Sequence, residues 1–375
     1  MKKISIILLL ALLSFAACST EDDGSGDQNG GQTDSFDRGA MLSHWADDFI
    51  VPAFQNFSTA TNSLNQATET FAANPSAENL TALRAAYRSA YIDFQSVSMF
   101  EIGKAEELNY RNFLNTYPAN TENIQSKIAS GSYNLELPSS FAEQGFPAID
   151  YLLYGLAEDD TTLLEYYTSG ENAENYRAYL SDAAARINDL TAEVTASWTG
   201  SYRDTFVENT SSSSTGSVDR FTNDFVMYFE KFLRSGKIGY PAGVFSGTPS
   251  PVNVEALYAG DLSKELYQEA VSAYSDFYEG EGFGSAASGK SYKQYLQYLD
   301  SMKDGQDLAA LISTQFAAIN NQSAALDANL KNQVETDNSV MLAAYDELQK
   351  AVVLLKLDMM QALSISVDYV DSDGD

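Results

Sequence analysis

Residues 45–71 read WADDFIVPAFQNFSTATNSLNQATETF, and the spacing of the apolar side chains in this stretch decides the fold class. The larger apolar residues recur every three or four positions, at Trp45, Phe49, Ala53, Phe57, Ala60, Leu64, Ala67 and Phe71. Because an α-helix completes a turn in about 3.6 residues, this spacing places them on one face of a long helix. Pro52 is expected to kink the first turns of that helix.

The residues that follow predict a second helix packed against the first. The sequence Asn74-Pro75-Ser76 interrupts the pattern, and the Ser76 hydroxyl is suited to cap a new helix. The apolar face of this helix consists of Leu80, Leu83, Tyr87, Tyr91, Phe94 and Val97. Since only a short turn separates the two helices, they are expected to form an antiparallel pair.

The same period of three and four residues continues along the rest of the chain. One further helical face is formed by Tyr176, Leu180, Ala183, Ile187, Leu190, Val194 and Trp198, and the last one runs from Val340 to Met359. A stretch rich in Ser and Thr, Asn209 to Ser217, separates the earlier faces from the later ones. We therefore predict an all-α protein of two helical bundles, at residues 36–208 and 218–375.

The first 17 residues are typical of a secretion signal peptide. Lys2 and Lys3 precede an apolar run from Ile4 to Leu13 that is too short to cross roughly 30 Å of hydrocarbon. The sequence Phe15-Ala16-Ala17-Cys18 resembles the lipobox of bacterial lipoproteins, which predicts cleavage before Cys18 and attachment of lipid to it. The alternative is an ordinary secreted protein with a spare thiol.

Residues 18–35 are predicted to be a flexible tether between the lipid and the folded part. They are acidic and polar and contain almost nothing to bury. The acidic start after Cys18 resembles the surface-export signals of Bacteroidetes lipoproteins, although a solvated acidic linker explains it equally well. The expected location is the outer membrane, anchored in lipid through Cys18, with the folded part facing either the periplasm or the cell surface.

Charge and residue counts exclude several classes of function. With 22 Lys and Arg against 52 Asp and Glu, the net charge of −30 argues against a nucleic-acid partner and favours attraction of cations. Cys18 is the only cysteine and His44 the only histidine, so neither a disulfide nor an HExxH zinc site can form. His44 is interpreted as a surface or capping residue.

Carboxylates and phenols remain as ligands, and they suit hard cations such as Ca²⁺, Mg²⁺ or Fe³⁺. The terminal sequence Asp371-Ser372-Asp373-Gly374-Asp375 looks like the start of a calcium loop, but the chain ends before the downstream Glu that such a loop needs. It is interpreted as a frayed acidic end.

The segment Gly145–Gly155, GFPAIDYLLYG, resembles the signature of the imelysin family, in which GxHxxE precedes an aromatic-Leu-Leu-aromatic run. Other segments resemble the family in the same order along most of the chain: Phe49–Phe54, Asn115–Pro118, Lys237–Gly243 and Glu255–Tyr258. The resemblance implies a periplasmic or surface protein of two helical bundles packed side by side, with a functional cleft between them. It also implies a link to iron uptake, and some family members carry a peptidase label.

The signature departs from the family pattern at two positions. Gly145 is kept, but Pro147 stands at the histidine position and Asp150 at the glutamate position. Proline can neither bind a metal nor transfer a proton, whereas Asp150 keeps a carboxylate. A proline is also suited to the first turn of a helix, so the segment could serve only to start one.

These considerations favour a non-catalytic binding lipoprotein that takes iron, an iron complex or another small ligand in an acidic, tyrosine-lined cleft. The predicted ligand contacts are Asp150, Tyr154, Glu101, Glu255, Lys237 and Gly145, with Asp150, Glu101 and Glu255 as metal ligands. Asp150 and Tyr154 are four residues apart on one helix face, and Lys237 would balance the carboxylate charge. No catalytic residue is assigned. The alternatives are an imelysin-type metallopeptidase with reduced or lost activity, and a surface module that holds a protein of an uptake system.

Overall fold

Residues 45–71, which predict the first long helix, lie within a helical stretch that begins before Trp45 and ends at Ala73. In the computed structural model, which describes residues 34–285 and 287–370, it forms helix α1 (Arg38–His44), a π-helical segment (Trp45–Ile50) and helix α2 (Val51–Ala73). Pro52 lies just after the π-helical segment, in a helix that continues on both sides of it, so the N–H group that proline lacks falls where the pattern of backbone hydrogen bonds changes. The predicted signal peptide, Cys18 and the Asp371–Asp375 tail lie outside the described residues.

Helix α3 (Ala77–Gln95) begins where the sequence predicts. The Ser76 hydroxyl oxygen accepts a hydrogen bond from the backbone N–H of Asn79 at 3.2 Å, so the predicted helix cap is confirmed. Helix α2 packs against both α3 and the long helix α9 (Ala173–Thr199). The apolar residues that the sequence places on these three helices are buried except Ala67, which is half-buried, whereas Trp45 and Phe49 of the preceding π-helical segment pack against Phe277 of the second half.

Shorter helices connect α3 to α9 and follow it. They are α4 (Lys104–Leu108), α5 (Tyr110–Asn115), α6 (Thr121–Ser130), a 3-10 turn (Pro138–Glu143), α7 (Gly145–Asp150), a π-helical segment (Tyr151–Gly155), α8 (Asp160–Thr168) and α10 (Ser201–Glu208). Pro147 falls in the first turn of α7, as expected for a proline near a helix start.

The second half begins with α11 (Ser217–Met227), which continues as a long π-helical segment (Tyr228–Gly239). The elements that follow are α12 (Tyr240–Ala242), a 3-10 turn (Pro251–Asn253), α13 (Ser263–Glu279), a 3-10 turn (Phe283–Ser285), α14 (Tyr292–Tyr298), strands β1 (Met302–Lys303) and β2 (Gln306–Asp307), α15 (Leu308–Ser323), α16 (Leu330–Thr336), α17 (Asn338–Val352), a π-helical segment (Val353–Met359) and α18 (Met360–Ala362). Strands β1 and β2 form a small antiparallel hairpin with Met302 opposite Asp307. Helix α17 packs against α15 and against the π-helical segment Tyr228–Gly239.

The prediction of an all-α fold is confirmed. The Ser/Thr-rich break lies in the loop between α10 and α11, and the division into two bundles at this loop stays a prediction. Helix α13 of the second half lies against α3 of the first, and one continuous apolar core includes residues from both halves. None of the helices within residues 34–285 and 287–370 has the length and apolar character needed to cross a bilayer.

His44 is not the surface residue that the sequence suggested. Its side chain is buried, and its Nε2–H group donates to the carbonyl oxygen of Gly280 at 2.9 Å. Its Nδ1 atom lies 2.7 Å from a carboxylate oxygen of Asp48. The surface alternative was wrong, because the imidazole bonds to the C-cap residue of α13, more than two hundred residues away in sequence.

Candidate functional site

Asp150 lies at the end of α7 and its carboxylate is buried. Its two oxygens accept hydrogen bonds from the backbone N–H groups of Tyr258 and Ala259, each at 2.8 Å. The Tyr87 hydroxyl is a further neighbour of the carboxyl group. Burial raises the pKa of Asp150 to about 7, although the two N–H donors oppose this rise. Asp150 therefore ties the turn after Glu255 to helix α7.

Glu255 belongs to a second group of buried polar residues beside Asp150. Its carboxylate pairs with the Lys237 ammonium and accepts a hydrogen bond from the Asn115 side-chain amide at 2.7 Å. Lys237 also donates to the side-chain oxygen of Gln95 at 2.8 Å, and the Tyr91 hydroxyl donates to the Asn115 amide oxygen at 2.6 Å. Burial lowers the pKa of Lys237, an effect that the charge of Glu255 opposes. Lys237 thus balances one of the predicted carboxylates.

Glu101 lies in a different cluster, with Arg111 and Asp224. One Glu101 carboxylate oxygen accepts the backbone N–H of Arg111 at 2.9 Å, and the backbone N–H of Glu101 donates to Asp224 at 2.7 Å. The Arg111 guanidinium forms a buried ion pair with Asp224 at 3.1 Å. Burial raises the pKa of Glu101 to about 7.

The predicted metal site of Asp150, Glu101 and Glu255 is not formed. The residues that the structure describes contain no group of three or more His, Cys, Asp or Glu side chains able to hold a metal ion. The Asp150 carboxylate accepts two backbone N–H groups, and the Glu255 carboxylate pairs with Lys237. The Glu101 carboxylate accepts a backbone N–H group and belongs to a separate cluster. A hard cation needs several oxygen ligands that converge on one point, and these three carboxylates do not provide them.

Two other predicted contacts have structural roles of their own. The Tyr154 ring lies against the Arg84 guanidinium, 4.5 Å from its carbon to the ring centroid. Gly145 has a φ of +73°, and a Cβ atom placed on it would lie 2.3 Å from the carbonyl oxygen of Leu114. Only glycine fits this backbone conformation and this close approach.

An open cavity of about 540 Å³, here called the main cleft, lies where the segment after α5 meets the long π-helical segment. Its lining is polar and aromatic: Asn112, Asn115, Thr116, Tyr117, Lys231, Phe232, Gly236, Tyr240 and Asn253. The side chains of Asn112, Tyr117 and Asn253 form no hydrogen bond with any residue in the described part of the chain. They are free to bond to a ligand.

A smaller cavity of about 270 Å³, here called the side pocket, shares Tyr117 with the main cleft. Most of its lining is apolar: Tyr117, Pro118, Ala119, Thr121, Pro147, Asp150, Val252, Val254, Ala256, Leu257 and Tyr258. Asp150 is the charged residue of this lining, and its oxygens already accept two backbone N–H groups. The side pocket is therefore suited to an apolar group.

Comparison with known families gives a match to imelysin over residues 50–355. The chain belongs to the imelysin family. Part of it is similar to Iron-regulated protein A of Synechococcus elongatus, with 26% identity over 128 residues. That similarity covers 34% of this chain and 35% of the relative, so it spans about a third of either protein.

Two solved structures share the imelysin fold of this chain. One is an iron-regulated protein A precursor from Parabacteroides distasonis, with a TM-score of 0.68, 17% identity, and coverage of 86% of this chain and 95% of the other. The second is an imelysin-like protein from Psychrobacter arcticum, with a TM-score of 0.65, 17% identity, and coverage of 88% and 97%. At this level of identity the likeness concerns the fold.

The residues that stand at the His and Glu positions of the imelysin signature have structural contacts in this chain. Pro147, at the histidine position, contributes an apolar wall to the side pocket, and Asp150 binds backbone amides. Sequence reasoning missed the free polar groups of the main cleft, Asn112, Lys231 and Asn253. The sequence did contain one indication of this cleft, because the segment Asn115–Pro118, part of which lines it, resembles the imelysin family.

Proposed function

We propose that this imelysin-family chain is a non-catalytic binding protein of an iron-related uptake system, with the main cleft as its ligand site. The observation that carries the proposal is the set of unbonded polar side chains around a cavity of about 540 Å³. Ligand sites for small molecules commonly have volumes of about 300–1,000 Å³ and a few convergent polar groups. The side chains of Asn112, Tyr117 and Asn253 supply such groups.

The chemistry of the lining favours an oxygen-rich ligand over a bare metal ion. Within the described residues, the lining of the main cleft contains no carboxylate, so a free cation lacks the anionic oxygen ligands that it favours. Amide and phenol groups and the Lys231 ammonium instead recognise the oxygens of a neutral or anionic molecule. Iron would therefore enter as a complex whose outer surface presents such oxygens.

The name of the cyanobacterial relative, Iron-regulated protein A, supports a connection with iron, and we extend this connection to the present chain. The lipid anchor at Cys18 and a position on the outer membrane, facing the periplasm or the surface, are part of the same proposal. A membrane-anchored binding protein would hand its ligand to a protein of the uptake system, which is the proposed partner.

Isothermal titration calorimetry on the full-length chain tests the binding function. The injectants are ferric citrate, citrate alone and calcium chloride. We expect heat of binding with ferric citrate and none with calcium. The variants Tyr117→Phe and Asn253→Ala should each weaken binding of ferric citrate several-fold, because each removes one hydrogen-bonding group from the cleft, at about 1 kcal/mol.

Asn321→Ala serves as the matched control, since Asn321 is exposed on α15 and lines neither cavity. Binding that is absent, or that is equally strong in the two cleft variants and the control, would contradict the proposed function.

A further inference from the structure

We infer that the ligand is amphipathic, with an anionic oxygen group such as a carboxylate in the main cleft and an apolar group in the side pocket. This inference rests on the proposed function and adds the chemical class of the ligand. It depends on three features of the described residues: the two cavities adjoin, their linings differ in polarity, and the main cleft contains a lysine without a carboxylate partner.

The two cavities adjoin because the same two segments of chain line both. Tyr117 contributes to both linings. On the second segment, Asn253 lines the main cleft while its neighbours Val252 and Val254 line the side pocket. The two cavities are therefore neighbours, and a ligand that extends past Tyr117 would reach from one into the other.

The side pocket is large and apolar enough to hold a ring or a short alkyl chain. An apolar cavity of about 150 Å³ is enough to bind benzene, and the side pocket has about 270 Å³. Pro147, Val254 and Leu257 offer apolar surface, and each buried methylene of a ligand contributes about 0.8 kcal/mol. The Asp150 oxygens accept hydrogen bonds from backbone N–H groups, so the Asp150 carboxylate does not require a cationic group on the ligand.

Lys231 is the charged residue in the lining of the main cleft. It is half-buried, and its ammonium lies 5.6 Å from the centroid of the Tyr369 ring, a residue outside that lining. Lys231 forms no ion pair with a carboxylate of the described residues. In a chain with a net charge of −30, a lysine that belongs to the lining of a cavity and has no carboxylate partner favours an anionic ligand, toward which its flexible side chain can turn.

A series of probes with one apolar group and three different heads tests the inference. The probes are 3-phenylpropionate, 3-phenylpropan-1-ol and 3-phenylpropylamine, and their affinities for the full-length chain are measured by ligand-observed NMR. We expect the carboxylate to bind about tenfold more tightly than the amine, a difference of about 1.4 kcal/mol. Non-specific attraction to the acidic protein surface would favour the amine probe. Tighter binding of the carboxylate probe would therefore report a positive charge within the main cleft.

Two variants test which cavity binds the charged or polar group of the probes and which cavity binds their phenyl ring. Lys231→Gln should abolish the preference for the carboxylate while the alcohol keeps its affinity. Val252→Asn, at a residue that is 56% exposed on the rim of the side pocket, replaces apolar surface without adding charge and should weaken all three probes several-fold. The matched controls are Lys350→Gln and Leu137→Asn, at exposed positions outside both linings.

The inference is overturned if none of the probes binds, if the amine binds as tightly as the carboxylate, or if the two variants behave like their controls. If ferric citrate still binds in those cases, and cleft variants still weaken it, the proposed function stands and only the ligand class is wrong. If ferric citrate also fails to bind, the proposed function is contradicted as well.

Discussion

The carboxylate of Asp150 accepts the backbone N–H of Ala259 at 2.8 Å, a bond between residues 109 positions apart in sequence. With the parallel bond from Tyr258, it holds the turn that begins at Glu255 against helix α7. The acid of the imelysin signature therefore supports the wall of the site in this chain. The cavities beside that wall are bounded by amides, phenols and apolar groups.

Asp150→Asn should destabilise the protein by about 1–3 kcal/mol. The asparagine side chain has one acceptor oxygen, so the N–H of either Tyr258 or Ala259 would face an NH₂ group and stay unbonded in a buried site. Urea denaturation measures the change in the free energy of unfolding. Asp346→Asn, at an exposed position of α17, is the control, and equal stability of the two variants would refute the structural role of Asp150.

The free energy of unfolding should increase as the pH is lowered from about 7.5 to about 5.5, by on the order of 1–3 kcal/mol. Burial raises the pKa of Asp150 and of Glu101 to about 7 in the folded state. The unfolded chain releases these protons near pH 4, so between about pH 4 and 7 the folded state binds more protons and loses stability as the pH rises.

Urea denaturation at several pH values measures this dependence. Glu101→Gln keeps an acceptor for the Arg111 N–H and removes one titrating group, so its stability should vary less with pH than that of the parent. A stability that is constant or rises between pH 5.5 and 7.5 in the parent would show that these carboxyls are ionised in the folded protein.

Lys237→Met should destabilise the protein by about 3–5 kcal/mol, because it leaves the buried Glu255 carboxylate without its cation. The double variant Lys237→Met with Glu255→Gln should recover part of this loss, since the remaining group is neutral. A double-mutant cycle from denaturation curves measures the coupling. Additive effects of the two substitutions would mean that the pair does not interact energetically.

Gly145→Ala should cost clearly more stability than Gly247→Ala. Both glycines have a positive φ near 70°, which costs alanine about 1–2 kcal/mol. Only at Gly145 does the added Cβ meet other atoms, the backbone of Phe113 and Leu114, whereas no atom lies within 4 Å at Gly247. Thermal unfolding of both variants compares them, and equal shifts in Tm would show that the segment around Leu114 moves without cost.

The polar residues of the candidate site were predicted from the sequence only in part. The sequence predicted Asp150, Glu255 and Lys237 as ligand contacts, with Lys237 balancing the carboxylate charge, and Lys237 does pair with Glu255. It predicted a shared metal site with Glu101 that the described residues do not form. It left Asn112, Lys231 and Asn253 unassigned, because isolated polar residues in loops and on helices have no periodic signal.

The sequence by itself determined the helical class, the helix cap at Ser76, the place of Pro147 in a first turn and the imelysin family. These properties depend on spacing and on bonds between residues at most a few positions apart, which a linear pattern records. The availability of each carboxylate was decided by tertiary structure. Asp150 meets Ala259, and Glu255 meets Asn115, only when distant segments pack together, and the donors they meet there determine what remains free to bind a ligand.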